Sequence, residues 1–325
     1  MPMPAPPPDP PALVVASAAA PCDAAARARL LAPPAPGEDS VALTCSVRLA
    51  PGDRVLKRIV LEGKAASGIT LDCAGAAIGN PGEPARLDAI TLSIRSRPPA
   101  QGGEPWERPS GIAIRDCMIH GHVRIWGMGV NGQAPALRAS SHSLGHTERA
   151  QSAAPTGIAI TGTTITASGP IPLYLGPGVT RVSLTGSRLA GRTVGTALYL
   201  DAESAENRIE DNDFVAETGR EAIAVDGSAR NRITGNRFAL GGQGGVRLYR
   251  NCGEGGTVRH QTPSDNVITG NVFRGSGLFG AEPIVVNSRN GWRLYCGEDA
   301  GYPFGSSLDN SDGGTGNVVA PNRVE

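Results

Sequence analysis

An eight-residue pattern, Asn-x-[Ile/Val]-x-x-Asn-x-[Phe/Val], occurs four times and restricts the fold more than any other feature of the chain. The copies are Asn207–Phe214, Asn231–Phe238, Asn266–Phe273 and Asn317–Val324. The first two start 24 residues apart, and the later spacings are longer, which implies loops between units. Upstream the pattern continues without asparagine: Arg181–Leu189, Gly157–Ile165 and Gly111–Ile119 align with it, and Gly68–Leu71 looks like an earlier copy. Each unit holds short alternating segments separated by Gly and Asn, which read as strands, and no segment keeps a helical period. Fixed periods of this length mark repeat architectures. Such short strands cannot bury a face alone, so successive coils must stack on one shared core. Ile209, Ile233, Ile268 and Val319 are expected to point inward in one column, and Phe214, Phe238, Phe273 and Val324 in another. The asparagines are expected at corners, where they tolerate left-handed backbone and can bond one another as an amide ladder. Their role is structural.

Composition narrows the functional classes. The formal net charge is +0, which weighs against nucleic acid as partner. Aromatic residues are 4% of the chain, so the core is small and aliphatic. No run of 18 apolar residues exists, so no membrane span is expected. Positive charge is almost all arginine; the only lysines are Lys57 and Lys64, which removes any mechanism needing a lysine further along. Residues 1–12 are proline-rich, and 12–20 read as the apolar end of a secretory signal without a basic start, or as a linker. The expected organisation is a disordered or signal-like segment over 1–21, then one repeat domain over 22–325 with an irregular insertion at about 127–155. Six cysteines favour export to the periplasm or outside the cell. They allow fifteen pairings. Proximity in the repeat favours Cys22–Cys45, Cys73–Cys117 and Cys252–Cys296; buried free thiols are the alternative.

With these units in place, residues 60–325 resemble the right-handed parallel β-helix superfamily, the pectate-lyase-like proteins. The resemblance implies an all-β, single-stranded right-handed parallel β-helix, a solenoid with long loops on one face. It implies architecture more than activity, because the superfamily includes polysaccharide lyases, glycoside hydrolases, uronate C5-epimerases and adhesins.

A second strand recurs in each coil: Pro172–Leu175, Ala197–Leu200, Ala222–Val225, Gly245–Leu248 and Pro283–Val286. Alternation sends one outward column through Tyr174, Tyr199, Ala224, Arg247 and Val285, and the next through Gly176, Asp201, Asp226, Tyr249 and Asn287. Asp201 and Asp226 are then stacked carboxylates at about the 4.8 Å spacing of neighbouring strands. Like charges so close raise one pKa unless a cation lies between them. Three readings follow: a Ca²⁺ site with Asp201 and Asp226 as ligands, a carboxylate pair for glycoside hydrolysis, or two strand-end caps. Arg247, Tyr249, Tyr199 and Tyr174 on the same face favour an acidic sugar chain, since arginine grips a carboxylate with two bonds.

Long loops follow this strand. Residues 249–264 offer Arg250, Glu254, Arg259 and His260; residues 287–312 offer Arg289, Arg293, Tyr295, Glu298, Asp299 and Tyr302. Glu221, just before the Asp226 strand, can reach the same groove. His142 and His146 have metal-like spacing only on a helix and lack an acidic or cysteine partner nearby. The resulting expectation is a monomeric, polysaccharide-active lyase or C5-epimerase acting on an acidic, uronate-containing polysaccharide or oligosaccharide. Asp201 and Asp226 hold a cation or share a proton, Arg247 and Arg250 bind the substrate carboxylate, and Tyr249 or His260 moves the proton. Tyr174, Tyr199, Glu221, Arg259, Arg289, Arg293 and Tyr295 line the binding face. The alternatives are a glycoside hydrolase using Asp201 and Asp226, and a non-catalytic glycan-binding or surface β-helix. The polygalacturonase-like hydrolase signatures are not found.

Overall fold

The computed structural model describes residues 17–81, 90–100, 105–240, 244–275, 282–290 and 293–325. It is a parallel β-helix. Among the described residues three long sheets run along one axis, with nine, eight and nine strands along their paths and a tenth strand, Glu217–Thr218, beside the path of the third; every ladder between their strands is parallel. The chain visits the sheets in turn, once per coil, and the right-handed sense is the one that parallel crossovers adopt.

The first sheet contributes two inward columns, through Leu173 and Leu175 and their register partners, and the other two sheets one each. In the second sheet Leu71, Ile114, Ile160, Leu184, Ile209, Ile233 and Ile268 stand in register and are all buried. In the third, Ile119, Ile165, Leu189, Phe214, Phe238 and Phe273 do the same. Phe238 stacks on Phe214 at 4.8 Å and on Phe273 at 4.7 Å between ring centroids. Two expected members are not buried: Val319 is 38% exposed, and Val324, although in register with Phe273, is 65% exposed, because Arg323–Val324 is the edge strand of its sheet.

The asparagines form two hydrogen-bonded ladders, Asn207–Asn231–Asn266–Asn317 and Asn212–Asn236–Asn271–Asn322, each amide bonding the next. Left-handed backbone falls elsewhere than expected. It lies on the residue before the ladder positions Asn207, Asn231 and Asn266, namely Glu206, Arg230 and Asp265 at φ 61°, 56° and 59°. That residue makes the corner and leaves the asparagine free to bond along the axis. Upstream, hydroxyls continue the second ladder: Ser187 accepts from the Thr163 amide, and Thr163 from that of Cys117.

Cys22–Cys45, Cys73–Cys117 and Cys252–Cys296 are all disulfide-bonded. Helix Ala24–Leu31, capped by the Asp23 side chain, buries Leu30 in the core. The signal-like stretch falls mostly outside the described residues, but Ala19 already bonds the Gly68 carbonyl. The insertion is not irregular. It folds as two short helices, Pro135–Ser141 and His146–Ala153, against the loops that follow the first sheet. Among the described residues no helix is long and apolar enough to cross a membrane.

Candidate active site

The first sheet carries the candidate site. Its strands Leu173–Leu175, Leu198–Leu200, Ile223–Asp226, Val246–Tyr249 and Ile284–Val286 are adjacent and parallel. Tyr174, Tyr199, Ala224, Arg247 and Val285 stand in one register column, and Arg124 opens it one coil earlier. Short strands with an open outer face need a cover, and here the insertion and the two long loops supply it. They wall two joined cavities of about 410 and about 300 Å³ that share Arg220 and Arg289.

Two tyrosine–carboxylate pairs form the centre. Tyr174 Oη donates to Asp201 Oδ2 at 2.5 Å, and Tyr199 Oη to Asp226 Oδ2 at 2.6 Å. Asn251 reinforces the second pair: its main-chain N–H reaches Asp226 Oδ1 at 2.7 Å and its amide reaches Oδ2 at 2.6 Å. Asp226 is 0% exposed. Burial is the main cause pushing its carboxyl up to about 7; Arg259 and the bonds from Tyr199 and Asn251 pull down, while Asp201 pushes further up. Tyr174, Tyr199 and Tyr249 are raised well above the phenol range, first by burial and then by neighbouring carboxylates. All three are therefore hydrogen-bond donors at neutral pH.

Asp201 accepts the Ala202 N–H at 2.8 Å and faces Arg259 Nη1 at 3.7 Å. Burial draws the Arg259 pKa down, but the charges of Asp201 and Asp226 outweigh it and the net direction is up. Gly132 of the insertion lies directly over this guanidinium; a Cβ there would stand 2.6 Å from Nη2. Arg289 is held by three groups. Its Cζ lies 3.6 Å over the Tyr249 ring, Nη1 donates to Asn251 Oδ1 at 3.0 Å, and Nη2 stands 3.8 Å from Glu221. Glu221 also accepts from Arg220 at 3.3 Å and from Tyr249 at 3.2 Å.

The structure relocates several expected site residues. Asp226 and Tyr249 stand on the outward side of their strands as expected but are fully buried, because the loop residues Asn251 and Arg289 cover the strand ends. Arg250 does not face the groove: it is 5% exposed and pinned to Asp309 and the Ser311 carbonyl. Arg293 donates to the Arg289 carbonyl and approaches Cys252 Sγ, so it braces the loop. His260 lies in an aromatic cluster, its ring 5.0 Å from His146 and 4.9 Å from Phe304, with Nε2 on the Ser141 carbonyl. It fastens the insertion and lines neither cavity. Arg259, Arg289, Tyr295, Tyr174, Tyr199 and Asp201 line the larger cavity; Glu221 and Arg247 line the smaller one.

The donor set does not fit calcium. The carboxylate oxygens of Asp201 and Asp226 face hydroxyl and amide hydrogens, whereas Ca²⁺ needs about six to eight oxygen ligands. Among the described residues no three His, Cys, Asp or Glu converge on a metal position.

Four contributors were not among the expected site residues: Asn251, Trp126, Arg124 and Arg220. Arg124 was within reach of the sequence reading, since extending the outward column by one strand ends on that residue. Asn251 and the strap 131–133 lie in irregular backbone, where no periodicity points at a groove.

No family model matches the chain, and no curated protein matches it. Solved structures do. The C387A mutant of DFA-IIIase from Arthrobacter chlorophenolicus A6, in complex with DFA-III, is 14% identical with a TM-score of 0.30. The DFA-IIIase of the same organism in complex with GF2 is 13% identical with a TM-score of 0.27. In each case 93% of this chain and 78% of the other are covered. At this distance neither a substrate nor a residue role carries over.

Proposed function

We propose that this protein is a carbohydrate-active enzyme that removes the C5 proton of a uronate within a glycan, as a lyase or a C5-epimerase. The observation that carries this reading is the placement of Arg220 and Arg289 beside the Tyr199–Asp226 pair in one groove. Abstraction next to a carboxylate needs that carboxylate's charge balanced and a base of matched pKa. Arg289 is preorganised by its stacking on Tyr249 and its bond to Asn251, so it can offer a substrate carboxylate a fixed fork. Tyr199 oxygen takes the C5 proton while its own proton passes to Asp226. A carboxylate titrating near 7 accepts that proton far more readily than an exposed one. In elimination the C4–O bond then breaks, a C4–C5 double bond forms, and the leaving oxygen takes a proton from Tyr199, which recovers one from Asp226. In epimerisation a water on the far side of the ring delivers a proton to the opposite face of C5, and the proton held on Asp226 leaves through Tyr199 to solvent.

Arg259 and not Ca²⁺ balances the buried carboxylates in this reading. A hydrolase built on Asp201 and Asp226 is less well supported, because Asp226 is covered by Tyr199 and Asn251 and cannot reach a glycosidic bond. The three disulfides support an oxidising compartment, periplasmic or extracellular.

The test is a panel of acidic oligosaccharides. The expected products are either unsaturated uronates, seen by their ultraviolet absorbance, or C5-deuterated epimers formed in heavy water. Binding with neither product would make the protein a glycan-binding β-helix, and new reducing ends alone would make it a hydrolase. On the active substrate, Arg289→Met should raise KM about 10- to 100-fold, the value of about 1.5–3 kcal/mol for a hydrogen bond to a charged group.

A further inference from the structure

The two arms of the groove differ in charge, and the difference bears on the second sugar. The smaller arm is lined by Arg220, Arg247 and Arg289 and by the carboxylate of Glu221, with Glu282 also near Arg247, whose guanidinium bonds the Glu282 carbonyl. Glu221 is itself 5% exposed and already shared by Arg220 and Tyr249. An anionic sugar belongs there.

The head of the larger cavity is different. Arg259 is its cation, and Asp201 lies 3.7 Å away while Asp226 and Glu203 add further negative charge around it. A second substrate carboxylate would meet that negative charge. The other arginine at this end, Arg124, is turned to the carbonyls of Pro170 and Ile171. Yet among the described residues Arg259 Nε and Nη1 have no hydrogen-bond acceptor, Nη1 coming no nearer than 3.7 Å to Asp201, on a side chain 2% exposed that lines the cavity. Such unmade bonds cost about 1–3 kcal/mol each. A hydroxyl suits the position, because it accepts from arginine and donates to a carboxylate at once. Beside it, Trp126 meets Tyr174 edge-on at 5.8 Å, offering an apolar surface to the C–H face of a sugar ring.

We propose that the substrate is a mixed glycan, in which a neutral sugar seated on Trp126, Tyr174 and the Asp201–Arg259 pair adjoins the uronate held by Arg220 and Arg289. This rests on the uronate reading above and extends it to the neighbouring sugar.

The experiment compares two oligosaccharides with equal numbers of carboxylates, one of uronates only and one alternating uronate with a neutral hexose. KM for the alternating compound should be about tenfold lower or less still, with similar kcat, as expected for hydrogen bonds to charged groups. Trp126→Ala and Gln133→Ala, the latter a half-buried strap residue that lines the same cavity, should each narrow that ratio. Equal KM values, or a ratio that neither variant changes, would overturn the mixed-glycan assignment while leaving the uronate chemistry intact. In that case water alone satisfies Arg259. Failure of both compounds to bind or react would overturn the uronate reading, and this inference with it.

Discussion

Tyr199→Phe should lower kcat by about 10²- to 10⁴-fold, the range for losing a positioned acid–base group, while KM changes far less. The substitution removes one oxygen and keeps the ring, so the 5.9 Å packing against Tyr174 survives. Asp226→Asn should fall in the same range for a different reason: the tyrosine keeps its hydroxyl but has no base behind it. Because the two act as one unit, the double variant should be scarcely worse than either single one. The pH profile separates this relay from a structural role. Asp226 works as the deprotonated form, so wild-type kcat should rise with pH through about 7 and then level. In Asp226→Asn the residual rate should lack that rise. A folded Tyr199→Phe enzyme with full activity would remove the pair from the mechanism.

The same carboxylate links function to stability. In the unfolded chain Asp226 releases its proton near 3.8, whereas the folded protein holds it to about 7. Between those values the folded state binds more protons, so raising the pH costs stability. The contribution is fully present below the unfolded value and is gone once pH passes the folded one. Stability measured from pH 5 to 7 should therefore fall less steeply in Asp226→Asn than in the wild type. Equal slopes would mean that Asp226 is ionised throughout. Holding a buried carboxylate half-protonated is the kind of local cost that active sites carry.

The parallel coils were legible because each repeats the same inward choices on each sheet. Once Asn207, Asn231 and Asn266 are aligned, the register of Ile209, Ile233 and Ile268 follows, and the structure places them in that order. The site was legible only as a strip. Alternation told which residues leave the core, and the Tyr174–Tyr199–Arg247 column is where it was expected. It could not tell what the loops cover. Tyr249 and Asp226 point away from the core and are nonetheless fully buried, because Arg289 and Asn251 close over them. Arg250 and His260 fail for the same reason. Loop geometry, not strand period, decides where they point, and both serve to hold loops down. The insertion offered no period at all, yet its Gly132 lies on the buried arginine at the centre of the site.

Asn236→Ala should destabilise the protein by about 3–5 kcal/mol, since each buried group left without a partner costs about 1–3 kcal/mol. Asn236 Oδ1 accepts both the main-chain N–H and the side-chain amide of Asn212, each at 3.0 Å. Its own amide donates to the Ile209 carbonyl at 2.8 Å and to Asn271 Oδ1 at 3.0 Å. Asn212, Asn236 and Asn271 are at most 1% exposed, so no water replaces the lost bonds. The Asn212 main-chain N–H is the group most exposed to this loss, because Oδ1 of Asn236 is its acceptor. Asn322 makes the same bonds at the end of the ladder, to Asn271 and to the Ile268 carbonyl, but is half-buried. There water substitutes, and Asn322→Ala should cost only about 1 kcal/mol, the net value of a hydrogen bond whose partners stay solvated. Denaturant unfolding of the two variants measures the difference directly. Equal costs would mean that the ladder is held by the strands around it, and that the repeated asparagines, the feature by which the fold is read, mark the coils without holding them together.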